Sequence, residues 1–200
     1  MPNEIFSLGH SSLVFPRFLD LLKNAQVTAV ADVRSSPFSG RFPWFSQREM
    51  KGSLKSAGVA YAFLGKELGG RPTSPELYRG SVADYDAMAR TDLFKSGIKR
   101  LLQGSETHRI AMVCSERDPL HCHRCLLVGR QLAHENILVT HLNFDGGREN
   151  QRQVEDRLLR EEKLFAEDLL KSHNDRVAEA YLKRSRQVAY ALIQKDEERK

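Results

Sequence analysis

The chain has 200 residues, 40% of them hydrophobic, with 31 Lys and Arg against 26 Asp and Glu and a formal net charge of +5. That size and apolar content suit one compact domain with an appendage, and argue against a disordered chain or a small scaffold that needs staples. No run approaches the ~20 apolar residues of a membrane span, the three cysteines are an odd number, and no signal peptide precedes Ile5, so a cytoplasmic setting without disulfides or membrane is expected.

Ile5 to Gly9 reads as a first strand that ends in Gly9-His10-Ser11-Ser12, where Ser11 or Ser12 offers a cap for a helix burying Phe15, Phe18, Leu19 and Leu22. Thr28 to Arg34 is a second strand, apolar until Asp32 and Arg34. The loop from Ser35 to Phe45, with Arg34 at its start, mixes two arginines with four aromatics. Such a mixture can stack a base beside an anion, although loop aromatics more often anchor the loop itself. Ser46-Gln47-Arg48-Glu49 has the spacing of a capping box, with a helix to follow as far as Ala57-Gly58.

Val59 to Leu64 is a third strand with a glycine-rich exit, Gly65 to Pro72, that lacks the spacing and Lys-Ser/Thr ending of a P-loop. No dinucleotide glycine fingerprint follows any strand, so ATP hydrolysis and Rossmann cofactor binding are disfavoured. One or two helices fill residues 74–104. Arg109 to Val113 is a buried central strand, and Cys114-Ser115-Glu116-Arg117-Asp118-Pro119-Leu120-His121-Cys122-His123-Arg124-Cys125 leaves its end. Asp118 as cap and Pro119 as first helical residue predict one helix from Pro119 to about Glu135. Its stripe of Cys122, Cys125, Leu126, Gly129, Leu132 and Ala133 would face the sheet.

Ile137 to Leu142 is the last strand, with His141 and Asn143 at its exit. Apolar strands alternating with helices predict an α/β fold, a Rossmann-like three-layer with a mostly parallel central sheet of about five strands flanked by helices. Residues 1–148 form this domain, and residues 149–200 form C-terminal helices that pack on it or on a second copy of the chain as a homodimer. Lys195 to Lys200 read as a frayed end.

Carboxyl ends of parallel strands are where ligands sit in open α/β sheets. Polar groups of five segments reach that rim: His10, Asp32 with Arg34, Glu67, Cys114 with Glu116, and His141. Leu8-Gly9-His10-Ser11, Asp32-Val33-Arg34 with Pro37, Glu67-Leu68-Gly69-Gly70, and Cys114-Ser115-Glu116 with Cys122-His123-Arg124 resemble the signatures of the family known as domain of unknown function 488, over roughly residues 4–145. The resemblance implies an α/β domain found widely in prokaryotes, without an activity to carry over. It picks out His10, Ser11, Asp32, Arg34, Glu67, Cys114, Glu116, Cys122, His123 and Arg124.

The residues point to an enzyme acting on an anionic, nucleotide-like or nucleic-acid substrate by hydrolysis or group transfer. Arg34 and Arg124 form an anion clamp aided by amides of the central helix, with Ser11, Asp32, Glu67 and His123 contacting substrate. Glu116 acts as acid or base with His10 in support, and Cys114 or Cys122 is a nucleophile only where its thiolate is stabilised. His123 is not expected to serve Cys122, because adjacent helical residues point ~100° apart. The Cys, five residues, Arg spacing of phosphatases is absent, since six positions after Cys114 stands Leu120 and after Cys122 stands Val128. No cofactor is expected. The alternatives are a zinc or iron site, or a redox site, built on Cys122 and Cys125 with Cys114, His121 and His123, and a non-catalytic nucleic-acid module suited to the basic pI near 9.2.

Overall fold

The computed structural model describes residues 4–166 and 170–192. Its strands are β1 (Glu4–Gly9), β2 (Ala29–Asp32), β3 (Ala60–Phe63), β4 (Tyr78–Arg79), β5 (Val82–Ala83), β6 (Ile110–Cys114), β7 (Leu138–Leu142) and β8 (Arg148–Asn150). Six of them form one sheet in the order β3-β2-β6-β1-β7-β8. The first five run parallel, as the apolar strands predict, and β8 adds an antiparallel edge. The turn into β8 passes through Gly146 at φ 94°, a conformation glycine adopts without a Cβ penalty.

The helices are α1 (Phe15–Asn24), α2 (Gln47–Ser56), α3 (Gly65–Leu68), α4 (Tyr85–Arg90), α5 (Asp92–Ser105), α6 (Arg130–His134), α7 (Gln151–Glu161) and α8 (His173–Val188). They cover both faces of the sheet, making a three-layer α/β fold. One core places Phe6, Leu8, Val30, Ala111 and Val113 against α1 and α2. The other places Ile5, Ala31, Met112 and Cys114 against α5, α6, α7 and α8. Alternation along β6 therefore sends Met112 and Cys114 to one face and Ala111 and Val113 to the other.

Several local expectations change. Helix α1 starts after Val14 with no side-chain cap, Pro16 in its first turn supplying the start in place of Ser11 or Ser12. Ser46 precedes α2 but its hydroxyl bonds Ser39, so the capping box is not made. Most loop aromatics are anchors: Phe45 is fully buried and stacks on His10 at 4.1 Å, and the Trp44 indole N–H donates to the Leu13 carbonyl. Residues 74–104 hold the β4–β5 hairpin as well as α4 and α5.

The helix expected from Pro119 to Glu135 is broken. Asp118 caps only a short turn over Pro119–His121, accepting from the Leu120 N–H at 2.9 Å. Cys122 is then extended (φ −141°, ψ 138°), and a new helix begins behind it, π-helical over Arg124–Gly129 before α6. π-helical turns are rare and recur at functional sites. Helices α7 and α8 pack on the α/β domain of their own chain, with Val154, Leu158, Leu159, Ala180 and Tyr181 in its core. Leu169 of the expected C-terminal helices and Lys195 to Lys200 lie outside the described residues.

Candidate functional site

The carboxyl ends of β1, β2 and β6 are tied together beyond the strands themselves. His10 N–H donates to the Cys114 carbonyl at 2.9 Å, Ser11 N–H to the Ser115 carbonyl at 2.8 Å, and Val33 N–H to the Val113 carbonyl at 3.1 Å. Gly9 makes this closeness possible. A Cβ there would lie 1.6 Å from the Glu116 carbonyl oxygen, so the loop carrying Glu116 can rest on β1 only where no side chain intervenes.

Four side chains of the predicted set converge behind that rim. Glu116 Oε2 is 2.9 Å from Cys114 Sγ and 3.0 Å from Cys122 Sγ. His123 Nδ1 is 3.7 and 3.9 Å from the same two sulfurs. The extended conformation of Cys122 overturns the helical argument against a Cys122–His123 contact. Cys122 also caps the helix behind it: its carbonyl accepts from the Cys125 and Leu126 N–H groups, and its sulfur accepts from the Arg124 N–H at 3.4 Å. A sulfur held at a helix N-terminus is favoured as thiolate.

Both sulfurs are buried. Burial pushes the Cys122 thiol up, but the bond from Cys114 and the charges of Arg124 and His123 outweigh it and hold it well below the ordinary thiol range. Cys114 moves the other way, raised by burial and by its bond to Cys122. Glu116 is exposed as a residue while its carboxyl turns inward, and burial followed by the nearby Cys122 raises its pKa. His123 is raised because Cys122 outweighs the effect of burial.

The His123 tautomer follows from its bonds. Nε2 lies 2.8 Å from the Val33 carbonyl, which can only accept, so Nε2 carries a proton and Nδ1 faces the sulfurs. Gly70 shapes the opposite side of the ring: a Cβ there would meet His123 Cγ at 2.8 Å and Cβ at 2.9 Å. We predict that Gly70→Ala displaces His123 and lowers stability by about 1–3 kcal/mol, as overpacking does. An unchanged urea midpoint for this variant would contradict it.

The remaining predicted residues occupy other positions. Asp32 and Arg34 form a buried ion pair, Arg34 Nε to Oδ1 at 2.8 Å and Nη2 to Oδ2 at 2.6 Å, and the Tyr61 hydroxyl donates to the same carboxylate. Arg34 Nη1 bonds the Phe45 carbonyl and His10 Nε2. Arg124 is 1% exposed, its Nε bonding Ser7 Oγ, its Nη1 the Glu116 carbonyl and its Nη2 the Arg117 carbonyl. Every nitrogen of these two guanidiniums is thus engaged by the protein, and their geometry is that of struts holding the rim. His10 donates from Nδ1 to the Ser11 carbonyl and accepts from Arg34 at Nε2; burial and the Arg34 charge hold it at about 4, and it bonds neither Glu116 nor a cysteine side chain. Ser11 contributes its backbone, at a left-handed φ of 39°. Glu67 pairs with Arg100 of α5, away from the cluster.

Of the ligand set weighed around Cys122 and Cys125, two members fall outside. Cys125 is fully buried against Gln151 Nε2 at 3.5 Å, its thiol pushed up to about 12 mainly by burial, and His121 is exposed. Among the described residues, Cys114, Glu116, Cys122 and His123 are the group whose donor atoms can reach one metal ion, all within 4.8 Å of one another.

A buried chain of bonds runs from this site to the C-terminal helices. Arg124 Nε donates to Ser7, Ser7 Oγ to His141 Nδ1, His141 Nε2 to Gln151 Oε1, Gln151 Nε2 to the Tyr181 hydroxyl, and that hydroxyl to Glu155. Neutral His141 fits this order because Nδ1 must accept. Burial and the Arg124 charge lower its pKa from 6.5 to about 4. The unfolded chain then binds a proton that the folded chain refuses, so this stability is complete above pH 6.5 and is lost as pH falls towards 4, on the order of 3 kcal/mol in all. Urea midpoints from pH 4 to 7 should show that slope, flattened in His141→Gln; an equal slope in the variant would refute the assignment.

Two hollows flank the cluster. On the His123 side, Arg34, Ser35, Ser36, Gly70, Arg71, Tyr85, Ser115, Val188 and Tyr190 line a cleft of about 250 Å³, with no carboxylate among the described residues that line it. Arg71 sits over the Tyr190 ring at 4.8 Å. On the Glu116 side a hollow of about 620 Å³ is bordered by Arg117, His121, Asn143, Phe144 and Arg157 among acidic residues. Sequence reading missed Arg71, Tyr85 and Tyr190. Arg71 directly follows Gly69-Gly70 and was findable; Tyr190 arrives because Ala83 N–H donates to its carbonyl at 2.9 Å and Leu192 N–H to that of Ser81, which straps the chain end onto the hairpin.

The fold and this rim define a three-layer α/β protein with a Cys/Glu/His cluster at the carboxyl ends of its central strands. The family model described as domain of unknown function DUF488 matches residues 15–131, more than half of the chain, and the chain belongs to that family. No curated protein and no solved structure matches it.

Proposed function

We propose that this chain is an enzyme that binds an anionic, nucleotide-like substrate in the cleft beside His123 and acts on it by hydrolysis or group transfer, with Glu116 moving the proton. The observation that carries the reading is the position of Glu116. Its carboxyl touches Cys114 and Cys122 of the buried cluster and borders the larger hollow, while His123 of the same cluster lines the cleft, so an acid or base there stands between the cluster and solvent. The cleft supports an anionic ligand through Arg71 and the hydroxyls of Ser35, Ser36 and Ser115. The Tyr190 ring beneath Arg71 gives a base or sugar a surface to stack on.

In this reading Arg34 and Arg124 act as positioning residues. Arg124 holds the Glu116 and Arg117 carbonyls, and so sets where the Glu116 side chain starts. Arg34 fixes Asp32, His10 and Phe45 behind the cleft wall.

The test is a thermal-shift screen with inorganic phosphate, nucleoside phosphates, sugar phosphates and short oligonucleotides, since a ligand bound only by the native state raises its melting temperature. At least one probe should raise Tm, and Arg71→Ala should remove the gain. With a probe that is turned over, Glu116→Gln should keep the shift and lose about 10²–10⁴ in rate. No response to any probe, or a response indifferent to Arg71→Ala, would sink the reading. Binding to oligonucleotides alone that collapses with salt and survives in every site variant would mark a nucleic-acid module instead.

A further inference from the structure

We infer that Cys114, Cys122 and His123 form a binding site for one zinc ion, with Glu116 beside it as an exchangeable group that takes a proton from whatever completes the ion's shell. The inference deepens the enzymatic reading and rests on it for the role given to Glu116; the ion site itself stands on geometry. Two thiolates and one imidazole are a donor set that zinc accepts in three-ligand sites, with a fourth position left for water or substrate.

Zinc bonds of about 2.3 Å to sulfur and 2.0–2.1 Å to nitrogen, at tetrahedral angles, put a sulfur and a nitrogen about 3.6 Å apart. His123 Nδ1 stands 3.7 and 3.9 Å from the two sulfurs. Those match two of the three edges of such a site, and all the donor atoms lie within 4.8 Å of one another. Glu116 Oε2, at 2.9 and 3.0 Å from the sulfurs, is closer than a shared ion would allow, because the corresponding sulfur–oxygen edge is about 3.5 Å. The carboxylate must therefore draw back when an ion enters. Glu116 is exposed and stands on a loop, so it can do so while the other three groups stay in place.

The surroundings of the cluster fit the same assignment. A histidine ligand commonly donates its second ring nitrogen to a carbonyl or carboxylate, which fixes the tautomer and aims the free lone pair. His123 does this through Nε2 to the Val33 carbonyl at 2.8 Å. The Arg124 N–H to Cys122 Sγ at 3.4 Å supports a thiolate ligand. Loading the ion releases to solvent whatever protons the two sulfurs still carry. Glu116 is then placed to accept a proton from a water at the fourth position and to return it to a leaving group, which keeps the proton count of a hydrolysis balanced.

Cobalt(II) reports this geometry by its spectrum. Reduced, chelator-washed full-length protein titrated with Co²⁺ should develop intense thiolate charge-transfer bands and tetrahedral ligand-field bands, saturating at one ion per chain and bleached by Zn²⁺. Zn²⁺ should also raise the melting temperature of the unaltered protein, a readout that needs no variant to fold. Cys122→Ser and His123→Gln should lose the bands, while Cys125→Ser and Glu116→Gln should keep one ion per chain. Folded, reduced protein that binds neither ion, or that binds Co²⁺ equally in Cys122→Ser, would overturn the zinc site. A ligand response dependent on Arg71 would survive that result, so failure of the metal and failure of the enzyme are distinguishable.

Discussion

Asp32→Ala should destabilise the protein by about 3–5 kcal/mol, because it strands the Arg34 guanidinium in the interior without its counterion. Arg34 is 3% exposed and Asp32 fully buried, so water cannot replace the lost carboxylate. The Tyr61 hydroxyl loses its acceptor in the same step. For a chain of this size the melting temperature should fall by roughly 10 °C. Pairing Asp32→Ala with Arg34→Met should cost less than the sum of the two single changes, since the stranded charge is then gone. A single-variant loss below about 1 kcal/mol, or strict additivity in the cycle, would show that the pair contributes nothing to the rim.

Arg124→Met should be as damaging, about 3–5 kcal/mol, for a different reason. Three nitrogens of one planar group satisfy three acceptors, Ser7 Oγ and the Glu116 and Arg117 carbonyls, and charge-assisted bonds of this kind contribute about 1.5–3 kcal/mol each before the cost of leaving their partners unpaired. Arg124→Lys should recover only a minor part, because a single ammonium cannot reproduce the fork. Calorimetric melting of the two variants decides this, and a lysine variant as stable as the parent would disprove it. The same change should loosen the Glu116 loop, so any Glu116-dependent turnover should fall in parallel.

These two arginines also mark where sequence reading stopped. The place of Arg34 at a strand end and of Arg124 in the helix that follows the central strand, beside acidic, cysteine and histidine residues, was legible, and so was the resemblance to a family of unknown function. Their partners were not. An arginine that clamps a ligand and one that braces a loop are the same letter, and only the distances to Asp32, Phe45, Glu116 and Arg117 separate the roles. Glu67 illustrates the same limit: it stands in a strand-exit motif, yet its carboxylate turns to Arg100 on α5.

The break at Cys122 was hidden for another reason. Asp118-Pro119 is a good helix start, and the spacing of Cys122, Cys125, Leu126 and Gly129 suits a continuous apolar stripe. Local propensity therefore favoured one helix. The folded chain instead ends the first turn after His121 and reopens the backbone, which gives the Cys122 sulfur the Arg124 N–H and turns it towards Cys114. Short-range preferences of a few tenths of a kcal/mol per residue yield to such tertiary bonds.

The amino-acid order alone determined the layered α/β architecture and the edge at which chemistry gathers, because backbone hydrogen bonding and apolar periodicity are local properties written into each segment. Which of the gathered groups touch was decided by the folded chain, since contact among Val33, Cys114, Glu116 and His123 depends on strand order, on a glycine that lets one loop rest on β1, and on one reopened turn. Those are properties of distances between segments far apart in the chain, and no segment carries them by itself.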